Sequence, residues 1–173
     1  MAFAAEHDVP IPYMQKTREY YLALGYGNPY RWAHYVDVPF TPLTKPLAAS
    51  RVALISTAAP FQPDKGDQGP GAHYNAAAKF YAVYTDSTAT MPDVRISHVG
   101  YDRTNYKADD PHTWFPLIAL QQAVKSGRIG ALTPRFYGAP TNRSQKVTTQ
   151  TDAPEILRLV REDAADVAIL VPT

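Results

Sequence analysis

The chain has no cysteine among its 173 residues, which excludes disulfides, thiolate metal sites and a cysteine nucleophile within it. It also lacks an excess of charge of either sign. Seventeen basic side chains face sixteen acidic ones, for a formal charge of +1, so no electrostatic footprint for nucleic acid or anionic lipid is present. No window reaches the roughly 18 consecutive apolar residues that a membrane helix requires. The opening MAFAAEHDVPIPYMQ has neither the basic nor the apolar region of a secretory signal. These absences predict a soluble, cytoplasmic protein with no nucleic-acid or membrane partner. Walker A and GxGxxG patterns, internal repeats and low-complexity tracts are absent as well, so phosphate-cradling nucleotide binding has no support.

Hydrophobic residues, at 45%, suffice for a real core, and the length suits one compact domain. Sixteen Pro and twelve Tyr are both high for this length. Proline fixes φ and removes a backbone donor, so the Pro-rich stretches are expected to be irregular yet ordered. The spacing of Tyr13, Thr17, Tyr20, Tyr21 and Leu24 predicts a short amphipathic helix closed by Gly25, with its tyrosine face packed. The run from Gly27 to Leu47, with its prolines and aromatics in neither regular period, reads as an extended arm laid over a surface, suited to an oligomer interface.

RVALIST (residues 51–57) fits a strand buried on both faces, and VRISHV (94–99) a strand ending at Gly100. KFYAVYT (79–85) is a weaker strand candidate, preceded by a long polar loop that is functional or disordered. A helix is predicted over 115–126, with Pro116 in its first turn and Gly127 as its stop. A second is predicted over 153–163, with Asp152 and Glu155 spaced as a capping box. DVAILV (166–171) then forms a fully apolar strand, giving the αβ unit of a parallel sheet with Pro172 and Thr173 at its carboxyl end. The fold expected is α/β: a largely parallel sheet flanked by helices, over residues 51–173. An N-terminal helix and Pro/aromatic-rich arm occupy residues 1–50.

The segment ISHVGYDRTNYKADDPHTWFPLIALQQAVKSGRIGALTPRFYG resembles the central block of the component B reductases that act on glycine, sarcosine, betaine and D-proline. An I-x-H, an aromatic with Asp, an Asp before Pro or Asn, an FPL helix start and a G-x-I-G turn occur in the family's order. Here they are Ile96 to His98, Tyr101 with Asp102, Asp110, Phe115 to Leu117, and Gly127 to Gly130. RVALISTAA matches a family strand, and PYRWAHYVDVPFTPL resembles the arm of the proline-reductase-like branch.

In that family the strand matching DVAILVPT leads into a selenocysteine or cysteine motif of the form (Sec/Cys)-x-x-Cys. The resemblance therefore implies part of an oxidoreductase, redox-silent alone and with no cofactor in this chain. A selenocysteine or cysteine pair is expected on a following segment or a partner polypeptide, which would complete the domain in a homo- or hetero-oligomer. A selenocysteine codon read as a stop, a protein made as two chains and a cysteine-free relative are the three explanations for the missing motif. The function implied is reductive cleavage of a C–N or related activated bond in a small amino-acid-like or amine substrate.

His98, Tyr101 and Asp102 form the catalytic candidates, because imidazole titrates nearest neutrality and a carboxylate can orient it; a core histidine beside a turn is the plainer reading. Thr57 and Asp110 are substrate-binding candidates, as are Arg135, whose fork suits a carboxylate, and Tyr137. Arg135 to Gly138 is read as a Pro-flanked loop. Asp109, Asp110 and His112 have ligand chemistry, yet DDPH is also an ordinary capping turn, and no metal site is assigned. Asp64, Asp67 and His73 belong to a lid or to a solvated loop, and Thr141 to Ser144 to an anion site or to a turn. Trp32 and Trp114 are read as packing residues. Two other functions stay open: acid–base lyase, hydratase or isomerase chemistry through His98 and Asp102, and a noncatalytic assembly module.

Overall fold

The computed structural model describes residues 10, 12–27, 34–69, 72, 74–98, 101, 108–140 and 144–173. The chain divides into two compact units, Met1–Phe40 and Thr41–Thr173.

In the first unit, helix α1 spans Tyr13–Ala23 and ends as expected where Gly25 turns with φ +82°. None of its side chains is buried. Its tyrosines meet one another instead, Tyr20 on Tyr21 and Tyr21 on Tyr26, both edge to face. Trp32 and the start of the arm lie outside the described residues. Residues 34–40 have no regular structure, and Val36, Val38 and Phe40 are exposed.

The second unit is a three-layer α/β fold built on β1 (Arg51–Ser56). Strand β7 (Val167–Val171) runs parallel to it in a register from Val52↔Val167 to Ser56↔Val171. Because β7 occupies one edge of β1, the other edge is shared by β5 (Ala131–Leu132) and β6 (Arg135–Gly138), both parallel to β1. The break between them is filled by the buried Thr133, which accepts 2.5 Å from the Thr88 hydroxyl and donates 2.8 Å to the Arg135 carbonyl. Strand β3 (Tyr84–Ser87) lines the far side of β6, antiparallel. The apolar run of β1 faces both ways. Leu54 packs with Trp114, Phe115, Leu117 and Phe136 on the side of helix α2 (Leu117–Lys125), and Ala53 packs with Tyr137, Ile156 and Leu159 on the side of helix α4 (Ala153–Glu162).

Several expectations are corrected. Among the described residues of VRISHV, only Val94–Arg95 is a strand, β4, and it pairs antiparallel with β2 (Ala59–Pro60) in a separate two-stranded ribbon. The alternation there reflects the two faces of the ribbon, not membership of the main sheet. Residues 135–138 form a strand, β6, whose Phe136 and Tyr137 are fully buried on opposite faces; the flanking prolines obscured it. The weak strand candidate begins only at Tyr84. Strand β7 borders β1 alone among the described residues and leaves Leu170 exposed. The capping box does not form. The helical path begins at α3 (Gln145–Val147), where the Ser144 side chain accepts from Val147 N. It then passes through a π-turn at Thr148–Asp152, so Asp152 has helical φ and ψ and is buried without capping α4.

The G-x-I-G turn has a steric cause. Gly127 closes α2 with φ +71°, and Gly130 N donates to the Leu47 and Ser50 carbonyls, each at 3.0 Å. A Cβ on Gly130 would stand 2.9 Å from the Ala49 carbonyl carbon and from Ser50 O. Both are backbone atoms at the entrance to β1, with little freedom to retreat. Gly130→Ala is expected to destabilise the fold by about 1–3 kcal/mol, measurable by urea unfolding; an unchanged midpoint would show that the entrance to β1 yields.

Candidate functional site

In parallel sheets the carboxyl ends of the strands are the open edge, because the connecting helices return on the faces. Here β1 and β7 finish together. Thr173 N donates to Thr57 Oγ1 at 2.7 Å, and the two hydroxyls lie 3.3 Å apart. The next residue is held as well: Ala58 N donates to Ser56 Oγ at 3.1 Å, and Ala58 O accepts from Tyr84 Oη at 2.6 Å. Burial first, then the nearby Asp86 charge, raises the Tyr84 phenol, which therefore stays a neutral donor. Its ring lies against Gly138, where a Cβ would collide with it, so β6 carries glycine there. Thr57, Ala58, Tyr84, Ser97 and Pro140 enclose a crevice at this edge too tight to hold water.

A cavity of about 230 Å³ adjoins the crevice and shares Ala59 and Ser97 with it. One wall is formed by Arg95 of the ribbon strand β4 with the adjoining Ile96 and Ser97; Asp67, Gln68 and Asn75 supply another, and Asp109 a third. The long loop that provides Asp67 to Asn75 is braced by its own amides. Gln68 Nε2 donates to Gln62 O at 2.6 Å, Asn75 Nδ2 to Lys65 O at 2.6 Å, and Gln62 Nε2 to Ala78 O at 2.6 Å. Sequence reasoning singled out the loop's charges and missed these amides. Their signal was an amide at intervals through a Gly/Pro-rich stretch, where each can satisfy backbone groups that no ladder pairs.

The sequence-predicted residues fall into three places. Thr57 sits at the junction of β1 and β7. His98 directly succeeds the cavity residue Ser97, and Tyr101 N donates to the His98 carbonyl at 3.4 Å. Asp102, His73 and Thr141 to Arg143 lie outside the described residues. Asp110 accepts from His112 N at 3.0 Å, capping a 3₁₀ turn at Pro111–Thr113, while its neighbour Asp109 lines the cavity. Trp114 is buried, in keeping with packing, and donates to Ala108 O. Among the described residues no group of three or more His, Cys, Asp or Glu is placed to hold a metal ion.

Arg135 and Tyr137 are engaged elsewhere. Arg135 Nε donates to Asp163 Oδ2 at 2.7 Å and its Nη2 pairs with Glu162 at 3.1 Å, while the Tyr137 hydroxyl donates to the same Asp163 oxygen at 2.5 Å. Arg51 Nη1 reaches the Asp163 carbonyl at 2.9 Å, which sets the cluster at the amino ends of the strands, where α4 stops. Burial, then the Asp163 hydrogen bond, pushes the Tyr137 phenol up to about 12. Burial alone would raise the Asp163 carboxyl, but the hydrogen bonds from Arg135 and Tyr137 outweigh it and hold the group below its ordinary range.

Residues 25–173 match the family described as glycine/sarcosine/betaine reductase selenoprotein B. The chain belongs to that family. It is 31% identical over 134 residues to the D-proline reductase subunit gamma of Acetoanaerobium sticklandii, a match covering 76% of this chain and 52% of the relative. It is 24% identical over 148 residues to the glycine reductase complex component B subunit gamma of Symbiobacterium thermophilum, covering 86% of this chain and 34% of the relative. The chain thus spans about half or less of the length of these curated relatives. No solved structure matches it. Within the family block, Ile96 and Asp109 wall the cavity and Gly127 and Gly130 shape the turn into β5.

Since the folded Asp163 carboxyl is held low, its stabilisation is complete above about pH 5 and is lost as the pH falls through the lowered value. Asp163→Asn is expected to cost about 2 kcal/mol at pH 7, the scale of hydrogen bonds to a charged group, and to flatten the acid side of the stability profile. Urea unfolding at pH 7 and pH 3 checks both; an equal loss at the two values would remove the carboxylate from the account.

Proposed function

We propose that this chain forms the substrate-pocket part of a selenocysteine- or cysteine-dependent reductase that cleaves a C–N or related activated bond in a small amino-acid-like or amine substrate. The observation that carries the reading is the position of the 230 Å³ cavity, which shares Ser97 and Ala59 with the crevice where β1 and β7 end. Family membership and the names of the relatives supply the reaction class. Net, the substrate's C–N bond breaks, carbon and nitrogen each gain hydrogen, and two electrons come from a selenol–thiol or dithiol pair that ends oxidised. The pair resides on a following segment or a partner polypeptide in the assembled enzyme.

This chain's residues have separate tasks in that scheme. Thr57 holds the segment after β7 by its hydroxyl. His98, next to Ser97 on the cavity wall, passes a proton to the departing amine. Arg135 and Tyr137 are engaged with Asp163, and Asp110 caps the turn at Pro111–Thr113.

The test uses the chain purified with the polypeptides it assembles with. His98→Ala is expected to lower kcat by roughly 10²–10⁴-fold, the usual yield of a positioned acid or base, with assembly intact by size-exclusion chromatography. Full reductive turnover by the variant, or turnover by the isolated chain without a selenol or thiol partner, would overturn the reading.

A further inference from the structure

We infer that Arg95 is the anion-receiving residue of the cavity, offering the free Nε/Nη2 edge of its guanidinium to the carboxylate of a small ligand. The inference rests on the functional reading only in taking this cavity as the ligand site.

Arg95 is placed by backbone. It pairs with Ala59 in the ribbon, three residues beyond the last residue of β1, so its position is set directly by the sheet's carboxyl edge. Its guanidinium lies over the Phe61 ring, 4.8 Å from the centroid, which fixes the plane of the fork without using a donor. Among the described residues its hydrogen bonds fall on Nη1, which donates to the Asp93 carboxylate and, at 3.0 Å, to the Val94 carbonyl. Nε is buried and has no partner, the one such side-chain atom among the described residues. A buried donor of a charged group without an acceptor is costly, and each such group in a folded protein calls for an explanation. Nε and Nη2 point their hydrogens the same way, and this is the edge that grips a carboxylate with two parallel hydrogen bonds.

Competition from protein is weak at that edge. Asp93 meets Nη1 and has a side chain 63% exposed, so water and salt screen it. Among the described residues, the carboxylates on the cavity wall belong to Asp67, which already accepts from Gly69 N at 2.9 Å, and to Asp109. They repel a second anionic group on the ligand and favour a donor or a cation there. At roughly 30 Å³ for each water-sized group, the cavity of about 230 Å³ takes about eight non-hydrogen atoms. A monoanion or zwitterion of that size fits, and the charges of Asp67 and Asp109 favour it over a dicarboxylate or a phosphorylated ligand. Arg135, the arginine whose sequence setting first suggested this task, has its Nε/Nη2 edge tied to Asp163 and Glu162.

The probes are D-proline and D-prolinamide, which share a ring and differ in the carboxylate. Titrated into the labelled chain and followed by NMR, D-proline is expected to shift the Arg95 Nε–H and the Ile96 and Ser97 amides. D-Prolinamide is expected to bind at least roughly ten-fold more weakly, the scale of losing one charge-assisted pair. Arg95→Gln should weaken D-proline by the same factor and leave D-prolinamide unchanged. Asp93→Asn, which frees Nη1 without touching the fork edge, should tighten D-proline and guards against a variant that fails to fold. If D-proline shifts the cavity residues but Arg95→Gln keeps its affinity within two-fold, Arg95 is not the receiver and the cavity reading survives. Shifts confined to other parts of the chain, or no saturable shift, would overturn both.

Discussion

The parallel pairing of β1 with β7 is the constraint on which the rest of the second unit depends. Five consecutive residue pairs, Val52↔Val167 to Ser56↔Val171, set the two strands level, and the Thr57–Thr173 contact continues that register past their ends. A slip of one residue would turn every side chain to the wrong face. Leu54 would then leave the Phe115 and Leu117 cluster, and Ala53 would leave the cluster with Ile156 and Leu159. The register also aligns the strand ends, and with them the crevice and the adjoining cavity.

The two ends of the sheet divide the work. At the amino ends Asp163 gathers Arg135, Tyr137 and Arg51, while Asp166 accepts from Arg51 N at 2.7 Å and pairs with Lys45. These contacts lock the stop of α4 to the start of β1. At the carboxyl ends the hydrogen bonds are made by hydroxyls and backbone, through Thr57, Ser56 and Tyr84. Charge is concentrated where the fold is fastened, and neutral donors hold the edge where a ligand would be received.

Much of the architecture was legible in order and type. RVALIST and DVAILV are strands, and residues 117–125 and 153–162 are helices, because long apolar periodicity survives any tertiary context. Short segments were less legible. RFYG is four residues between prolines, and nothing local distinguishes a loop from a strand whose Phe136 and Tyr137 face two different cores. VRISHV alternates as a sheet strand does, but the ribbon that it joins is fixed by contact with Ala59 and Pro60, 34 or more positions away in the chain. At the candidate site, Thr57 was legible as the residue after a buried strand. Arg95, Gln68 and Asp109 were not, since one arginine, one glutamine and one of two adjacent aspartates look like any others until a cavity selects them.

By itself the sequence determined the family, through ordered motifs, and the α/β layering, through the apolar strands and the periodic helices between them. The shape of the turn at Gly127 and Gly130 was written there too, since a positive φ and a close backbone approach both demand glycine. Tertiary structure alone decided which arginine is engaged and which has a free edge. Arg95 and Arg135 have the same side chain, but Arg135 meets Asp163 and Glu162 across an element boundary, while Arg95, among the described residues, bonds its neighbours Asp93 and Val94 and lies over the face of Phe61. The capacity of a guanidinium to bind depends on which of its five hydrogens are already engaged, and that is a property of contacts between distant segments, which no local pattern encodes.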